Sequence, residues 1–321
     1  MKDEIESNKS YIVIGLATYK RPLMLANALS SLQKIRVPDD VIVKLILVDN
    51  DWSGSAKAIY QKYSKSFPFE TEYYIENQRG IANARNALLS RALALNAHYL
   101  AFIDDDESVC ENWLRALYST IKSHGCQVVT GKVIYELPDN TEEWIRSGGY
   151  FSDKNYATGT VQLGAGTGNV LIDLDFVKKY SLEFEQVFNF SGGEDTYFFK
   201  SLIKFGGKIV WCQEAVAYET VPNSRLTESW ILGRACKVGY TTLLRYGLDN
   251  SYYNTLLFFF KFIFSQAVLF GVGILPSIYQ LFFKGNRSSW VTSKRKLHKM
   301  KGAYNFMREK QHEEYRYVQG Y

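Results

Sequence analysis

The sequence is poor in several residue types, and each scarcity excludes a class of protein. Its 321 residues include only four cysteines and four histidines, and no two cysteines form a CxxC pair. That spacing predicts neither a zinc site nor a disulfide framework. The N-terminus, MKDEIESNKS, lacks the apolar core of a signal peptide, so we expect the folded part to remain in the cytoplasm.

An excess of positive charge is absent outside one region. The net charge is +5, but residues 284–310 alone carry nine Lys or Arg and one Glu, which leaves the remaining chain slightly acidic. Nucleic-acid binding gives a domain a strongly basic face, so we expect no nucleic-acid partner.

An uncharged run of 22 residues, 262–283, precedes the basic region and is long enough to cross a bilayer. Because basic residues mark the cytoplasmic side, a single crossing would place either the preceding domain or the basic flank on the wrong side. A re-entrant or interfacial hairpin that pivots near Pro276 keeps both in the cytoplasm. The alternative is a helical pair that covers the domain or forms a dimer interface.

Strand-like and helix-like segments alternate through the first half of the chain. The strand-like runs are 11–17, 41–49, 71–76, 98–104 and 126–135, and the helical patterns are 23–33, 53–63, 81–95 and 113–121. This rhythm predicts an α/β fold with a parallel sheet flanked by helices. Such sheets bind ligands at the carboxyl ends of their strands, where polar side chains cluster here: Thr18-Tyr19, Asp49-Asn50-Asp51 and Asp104-Asp105-Asp106.

Four consecutive acidic residues, 104–107, end the apolar run HYLAFID. On an extended segment Asp104 and Asp106 would share a face, and Asp105 would point away. Two carboxylates on one face make half a site for Mg²⁺ or Mn²⁺, with substrate phosphates as the other ligands. A solvated acidic turn is the alternative.

Other segments suit a ligand that contains phosphate or sugar. Asp49 could accept from a nucleobase or ribose, or it could form an Asx turn. Arg79 and Arg85 near a helix start favour anions, unless they line a solvated face. Asp195, at the start of a helix after two glycines, is favoured as a carboxylate and could remove a proton from a sugar hydroxyl. A plain helix cap is the alternative.

The stretches 143–147 and 222–234 combine arginine with tryptophan. Arg225 could bind a pyrophosphate, and Trp230 could present a flat apolar face to a sugar. Core packing is the alternative for Trp230.

Together these segments resemble family 2 glycosyltransferases of the GT-A fold. The similar stretches cover residues 11–245: LATYKRP (16–22), LVDND (47–51), NARN (83–86), FIDDDE (102–107), GNVLI (168–172), SGGED (191–195) and VPNSRLTESWILGR (221–234). Within the family the sequence is most similar to bacterial exopolysaccharide enzymes of the succinoglycan type.

The resemblance implies a domain plan. A polar tail, 1–10, would precede a GT-A domain, 11–245, with a Rossmann-like, mostly parallel sheet flanked by helices. A hydrophobic, membrane-associated helical segment with a basic C-terminal tail, 246–321, would follow.

The resemblance also implies roles for individual residues. Asp195 would be the catalytic base, and Asp49 would bind uracil. Asp104 and Asp106 would bind Mg²⁺ or Mn²⁺, with Glu219 at the position where many relatives have a metal-binding His. The other expected contacts to the nucleotide sugar are Thr18, Tyr19, Arg21, Asn50, Arg79, Arg85 and Asp105, with Asp104 shared. Those expected at the acceptor or pyrophosphate are Glu194, Arg225, Trp230 and Arg234.

The implied function is inverting, metal-dependent transfer of a sugar from a nucleotide-diphosphate sugar, UDP-linked, to a glycan or lipid-linked saccharide. It would serve surface or exopolysaccharide synthesis at the cytoplasmic face of the inner membrane, with the membrane surface as a partner. The alternatives are a nucleotidyltransferase on a related fold and a non-catalytic module that binds nucleotide sugars.

Overall fold

The computed structural model describes residues 9–285 and 287–308. The strands within these residues are β1 Ser10–Thr18, β2 Val41–Asp49, β3 Glu70–Ile75, β4 Tyr99–Asp104, β5 Glu107–Val109, β6 Val128–Glu136, β7 Val161–Gln162, β8 Asn169–Asp173 and β9 Ile209–Thr220. The α-helices are α1 Pro22–Leu32, α2 Lys57–Ser64, α3 Ile81–Ala94, α4 Trp113–His124, α5 Glu143–Arg146, α6 Leu174–Tyr180, α7 Glu194–Lys204, α8 Glu228–Asp249, α9 Tyr252–Lys284 and α10 Arg287–Met307. Short 3₁₀ helices cover Gln186–Phe188 and Asn223–Arg225.

The chain divides into two compact units. The first comprises Met1–Glu136, Asp153–Asn189 and Glu194–Thr220, and it holds every strand described. The second comprises Leu137–Ser152, Phe190–Gly193 and Val221–Tyr321. The predicted boundary at residue 245 stays a prediction. Of the two predicted tails, residues 1–8 and 309–321 lie outside the described residues.

The sheet of the first unit runs in the order β3-β2-β1-β4-β8-β6-β9-β5, and β7 pairs with β9. Strands β1 to β4 pair in parallel, which confirms the predicted βαβ units. Strand β6 also pairs in parallel with β9, so most of the pairing is parallel as expected, whereas β8 inserts antiparallel between β4 and β6, and β5 and β7 pair antiparallel with β9. The sheet is therefore mixed, and its parallel half carries the predicted ligand edge.

The central strands are apolar at nearly every position because both faces of the sheet are covered. In β1, Ile12, Ile14 and Leu16 join the cluster on one face, and Val13 joins the cluster on the other. Alternate residues of a strand point to opposite faces, so a continuous apolar run indicates burial on both. This burial fixes where each strand ends and thus where its terminal polar residues lie.

Helices α8, α9 and α10 dominate the second unit. Helices α8 and α10 approach closely, since a Cβ on Gly302 would collide with the carbonyl oxygen of Cys236. Helix α9 is long and apolar enough to cross a membrane, judged by length and composition alone. The predicted pivot near Pro276 is wrong: α9 continues through Pro276 and ends at Lys284, followed by Gly285, whose φ of 62° suits glycine.

A buried lysine on β2 forms an ion pair from which we expect the stability of the first unit to depend on pH. Lys44 Nζ lies 2.5 Å from Glu72 Oε1 and 3.3 Å from Glu70 Oε2. Hydrogen bonds from Lys44 and then Tyr74 lower the pKa of Glu72 below its ordinary 4.5. A lowered carboxyl pKa gives stability that is present above pH ~4.5 and is lost as the pH falls through the folded-state value.

We expect Glu72→Gln to lower the free energy of unfolding at pH 7 by about 1 kcal/mol, because Glu72 is a third exposed and solvent screens the pair. Below pH ~4 the variant and the wild type should converge. Urea unfolding followed between pH 3 and 8 measures the difference. Glu70→Gln is the matched control, since Glu70 is 81% exposed and should change stability less. A pH-independent difference would contradict this account.

Candidate active site at the carboxyl edge of the sheet

Strand register brings the predicted polar residues to one edge of the first unit. Thr18 at the end of β1 pairs with Asp49 on β2, and Ala17 pairs with Asp104 on β4. The three parallel strands thus end side by side, as the alternation of elements predicts. The contacts of each side chain at this edge determine which ligands and which chemistry the site can support.

The acidic run folds into a turn clamped by Arg21. Residues 105–106 form the turn, Arg21 Nη1 lies 2.9 Å from Asp105 Oδ1 and 3.3 Å from Asp106 Oδ2, and Thr18 donates to Asp105 at 2.7 Å. The expected extended segment, with Asp105 pointing away from Asp106, is therefore wrong. Burial raises the pKa of Asp105 to about 6, while Arg21 opposes the rise. Arg21 thus holds two of the acids in place.

Arg85 connects two predicted site segments. Its guanidinium donates to Asp104 Oδ1 at 3.2 Å and to Glu194, the first residue of α7. Glu194 is buried, and its other carboxylate oxygen has no hydrogen-bond partner among the residues that the structure describes. Arg85 is buried as well, so in this structure it binds protein carboxylates rather than facing solvent. Its predicted contact with the nucleotide sugar stays a prediction.

Asp104 is the accessible member of the acidic run. Its side chain is 42% exposed, whereas Asp105, Asp106 and Glu107 are buried. Desolvation raises the pKa of Asp104, and the nearby carboxylates of Asp106 and Asp195 raise it further while Arg85 opposes them. Asp104 and Asp195 are therefore electrostatic neighbours, although 90 residues separate them in the sequence.

Glu107 is a buried acid that the sequence reasoning missed. It accepts a hydrogen bond from the Asp104 backbone N–H, and it pairs in register with Glu219 across β5 and β9. Burial, together with Asp104, Glu219 and Asp106, raises the pKa of Glu107 well above its ordinary value. Only the register of β5 against β9 brings Glu107 and Glu219 together, and no local sequence pattern encodes it.

The carboxylates suit a divalent cation in chemistry but form no complete metal cage. Asp104, Asp106, Glu107 and Glu219 supply hard oxygen donors whose mutual repulsion a cation would relieve. Among the described residues, however, no group of three or more His, Cys, Asp or Glu side chains is arranged to hold a metal. The donor set therefore fits an ion that takes most of its ligands from a bound phosphate and water.

The polar side chains at the end of β2 form hydrogen bonds with other groups of the protein. Asp49 is fully buried and accepts hydrogen bonds from the backbone N–H groups of Asp51 and Ala56 and from the Tyr73 hydroxyl. Asn50 donates to the carbonyl oxygens of Glu76 and Gln78. The Asx turn left open by the sequence is thus present at Asp49, and its contact with uracil stays a prediction.

Tyr19 and its neighbours present cations at the end of β1. The Arg79 guanidinium lies 4.5 Å from the centre of the Tyr19 ring, within range of a cation–π contact. Lys20 Nζ lies 4.0 Å from Asp51 Oδ1, and Lys20 has a φ of 55°, which is uncommon for a residue other than glycine. These side chains remain candidates for the nucleotide.

Asp195 has the geometry of an available base. It lies in the first turn of α7, and its Oδ1 accepts from the backbone N–H and the hydroxyl of Thr196. Its Oδ2 accepts no hydrogen bond from the described residues. A Cβ at Gly166 would lie 3.7 Å from that oxygen, so the glycine-rich loop before β8 passes beside it. An Asp at a helix start with one free oxygen can accept a proton.

The remaining predicted residues belong to the second unit. Trp230 stacks on Phe151 with ring centres 5.7 Å apart, and Arg234 lies over the Trp230 ring. Trp230 also packs against the cluster that contains Trp144 and Ile231, as its core-packing alternative predicts. The acceptor or pyrophosphate roles of Arg225, Trp230 and Arg234 stay predictions.

Comparisons with known proteins point to one family. The sequence profile described as "Glycosyl transferase family 2" matches residues 13–181. The succinoglycan biosynthesis protein ExoM of Rhizobium meliloti (strain 1021) is 34% identical over 232 residues, which are 72% of this chain and 74% of ExoM.

Crystal structures of S. aureus TarS have a similar fold. TarS residues 1–349 in complex with UDP and with UDP-GlcNAc each give a TM-score of 0.51, at 16% and 15% identity, over 97% of this chain and 95% of that one. A longer TarS chain, of which this chain covers 39%, gives a TM-score of 0.50 at 17% identity over 71% of this chain.

Proposed function

Because the chain belongs to glycosyl transferase family 2, we propose that it transfers a sugar, with inversion, from a UDP-linked donor to a glycan or lipid-linked saccharide acceptor. The product would serve exopolysaccharide synthesis at the cytoplasmic face of a membrane, in keeping with the name of the R. meliloti relative. UDP and UDP-GlcNAc bound to the TarS structures support a UDP-linked donor. The observation that carries the proposal is the free oxygen of Asp195 near exposed Asp104.

Asp195 acts as the base in this mechanism. As the acceptor hydroxyl attacks the anomeric carbon, Asp195 Oδ2 takes its proton, and the bond from that carbon to the diphosphate oxygen breaks. A single displacement inverts the anomeric carbon, so an α-linked donor gives a β-linked product. Arg85 holds Glu194, and through it the first turn of α7, beside Asp104.

The acidic turn binds and orients the donor diphosphate. Mg²⁺ or Mn²⁺, when bound, would be held by Asp104 together with Asp106 and Glu219, and it would neutralise charge on the diphosphate. Arg21 fixes the orientation of the turn through Asp105 and Asp106. Tyr19 and Arg79 offer a flat, cationic surface to the nucleotide. The chain's own residues thus position donor and base before the acceptor arrives.

A donor panel tests the proposal. Purified full-length protein is incubated with a saccharide acceptor and individual nucleotide sugars, with Mg²⁺, with Mn²⁺ or with EDTA, and the release of nucleoside diphosphate is measured. We expect UDP to be released from a UDP-sugar, and EDTA to abolish this release. The anomeric configuration of the product, determined by NMR, should be opposite to that of the donor. Release of a sugar 1-phosphate in place of the nucleoside diphosphate would mean that the bond between the two phosphates breaks, and would indicate a nucleotidyltransferase. Donor binding without turnover would indicate a binding module.

A further inference from the structure

Helix α9 has its polar and apolar sides reversed relative to a helix of a soluble protein. Of its 33 residues only Thr255, Gln266 and Ser277 are buried. They recur every eleven residues, which is three helical turns, so they form one narrow stripe. The rest of the surface is mainly apolar and exposed, and includes Phe264 at 71% and Val272 at 73%. An ordinary surface helix buries its apolar side instead.

Protein covers the polar stripe. The Ser277 hydroxyl lies 2.7 Å from that of Ser293 on α10 and donates to the Ser289 carbonyl oxygen at 3.0 Å. Ser289 also donates to Gln280, so α10 runs antiparallel to α9 along this side. The apolar face therefore points away from α10.

Helix α10 adds positive charge next to α9. It contains no acidic residue, and its six Lys and Arg residues are Arg287, Lys294, Arg295, Lys296, Lys299 and Lys301. Arg287 and Lys294 pair with Glu228. Within residues 9–285 and 287–308, no carboxylate lies within ion-pair distance of Lys296, Lys299 or Lys301. A cationic helix packed on an apolar one matches a bilayer that contains anionic lipid.

We propose that α9 lies in the plane of an anionic bilayer, with its apolar face in the hydrocarbon boundary, and does not cross it. Crossing would bring antiparallel α10 into the hydrocarbon, at a cost of ~3 kcal/mol for each Lys or Arg carried to the centre. Helix α9 is also about 50 Å long, whereas the hydrocarbon core is about 30 Å thick. This inference rests on the proposed function, which places the protein at a membrane. It adds the orientation of α9 in that membrane and the charge of the lipid that it contacts.

Vesicle binding tests the surface in the absence of donor and acceptor. Full-length protein is sedimented with vesicles of phosphatidylcholine alone or of phosphatidylcholine mixed with phosphatidylglycerol. We expect binding to the anionic vesicles at least tenfold stronger than to the neutral ones. The double variant Phe264→Glu/Val272→Glu should lose at least tenfold in partition coefficient, because each change removes apolar burial and adds repulsion. Val187→Glu, at an exposed apolar residue of the first unit, is the matched control and should bind as wild type.

Labelling from one side tests whether α9 crosses. Cys110 is partly exposed, and the other three native cysteines are buried. The Cys110→Ser variant therefore has no exposed native cysteine that would react with the label. Asn254→Cys and Lys284→Cys, at exposed polar residues, then mark the two ends of α9 in sealed membrane vesicles treated with an impermeant maleimide. In-plane binding predicts that both ends label from the side that labels native Cys110.

Several results would overturn the inference. Labelling of the two ends from opposite sides would show a crossing helix, and equal binding to neutral and anionic vesicles would remove the role of the α10 cations. Absence of vesicle binding, together with a dimer that the double Glu variant dissociates, would assign the apolar face to a second copy of the chain. Donor turnover with a soluble acceptor is measured on the same variants, so failure of membrane binding is distinguished from failure of the proposed transferase function.

Discussion

Asp195→Asn is expected to lower kcat by ~10²–10⁴-fold and to leave donor affinity unchanged. Asn keeps the size of the side chain and can still accept from Thr196, so the start of α7 should persist. It cannot take a proton from the acceptor hydroxyl. Because Asp195 contacts the acceptor in the proposed reaction, the loss should appear in kcat while the nucleotide sugar still binds.

The measurement combines steady-state turnover with calorimetric titration of the donor. Asp175→Asn provides the matched control, since Asp175 also lies in the first turn of a helix, α6, and is exposed. Each variant removes one acidic residue from the start of a helix, so a difference in kcat between them reports the loss of the base. If Asp195→Asn turned over donor and acceptor at the wild-type rate, Asp195 would be discarded as the base.

The parallel half of the fold could be predicted because its signals are local. The runs that form β1, β2 and β4 are apolar at successive positions, and each stops at a polar residue that the register then aligns. The antiparallel insertion of β8 could not be predicted in this way. Five residues, Asn169–Asp173, carry no local mark of the direction in which they pair. That direction is set by neighbours distant in the sequence.

In the candidate site, too, local sequence signals predicted some features, and contacts between distant residues determined the others. Residue types and strand ends predicted which acids gather at the edge, but not which cations hold them. The alternation rule placed Asp105 away from Asp106, whereas a two-residue turn gives both to Arg21. Arg85 did carry a usable signal, because helical spacing places it on the same buried side of α3 as Ala82 and Leu89. A buried arginine needs carboxylate partners, and that rule points to Asp104 and Glu194.

The largest stability effect is expected from Arg85→Met. Removing the guanidinium leaves Glu194 buried without its partner, and breaking a buried ion pair in this way costs ~3–5 kcal/mol of unfolding free energy. Because Glu194 directly precedes Asp195, a loosened first turn of α7 should also lower kcat by ~10²-fold. Urea unfolding and steady-state kinetics measure the two effects separately.

A second substitution separates charge from packing. Combining Arg85→Met with Glu194→Gln removes both charges, so the double variant should regain most of the lost stability. Its kcat should stay low, because the connection that Arg85 makes between α7 and Asp104 is then lost. Arg91→Met is the control on the same helix: Arg91 lies 4.0 Å from the Tyr74 ring and pairs with neither acid, so its loss should cost about 1 kcal/mol or less. If the double variant were as unstable as Arg85→Met alone, packing of the Arg85 side chain would be what stabilises the site. If both variants kept wild-type kcat, Arg85 would have no part in positioning the base.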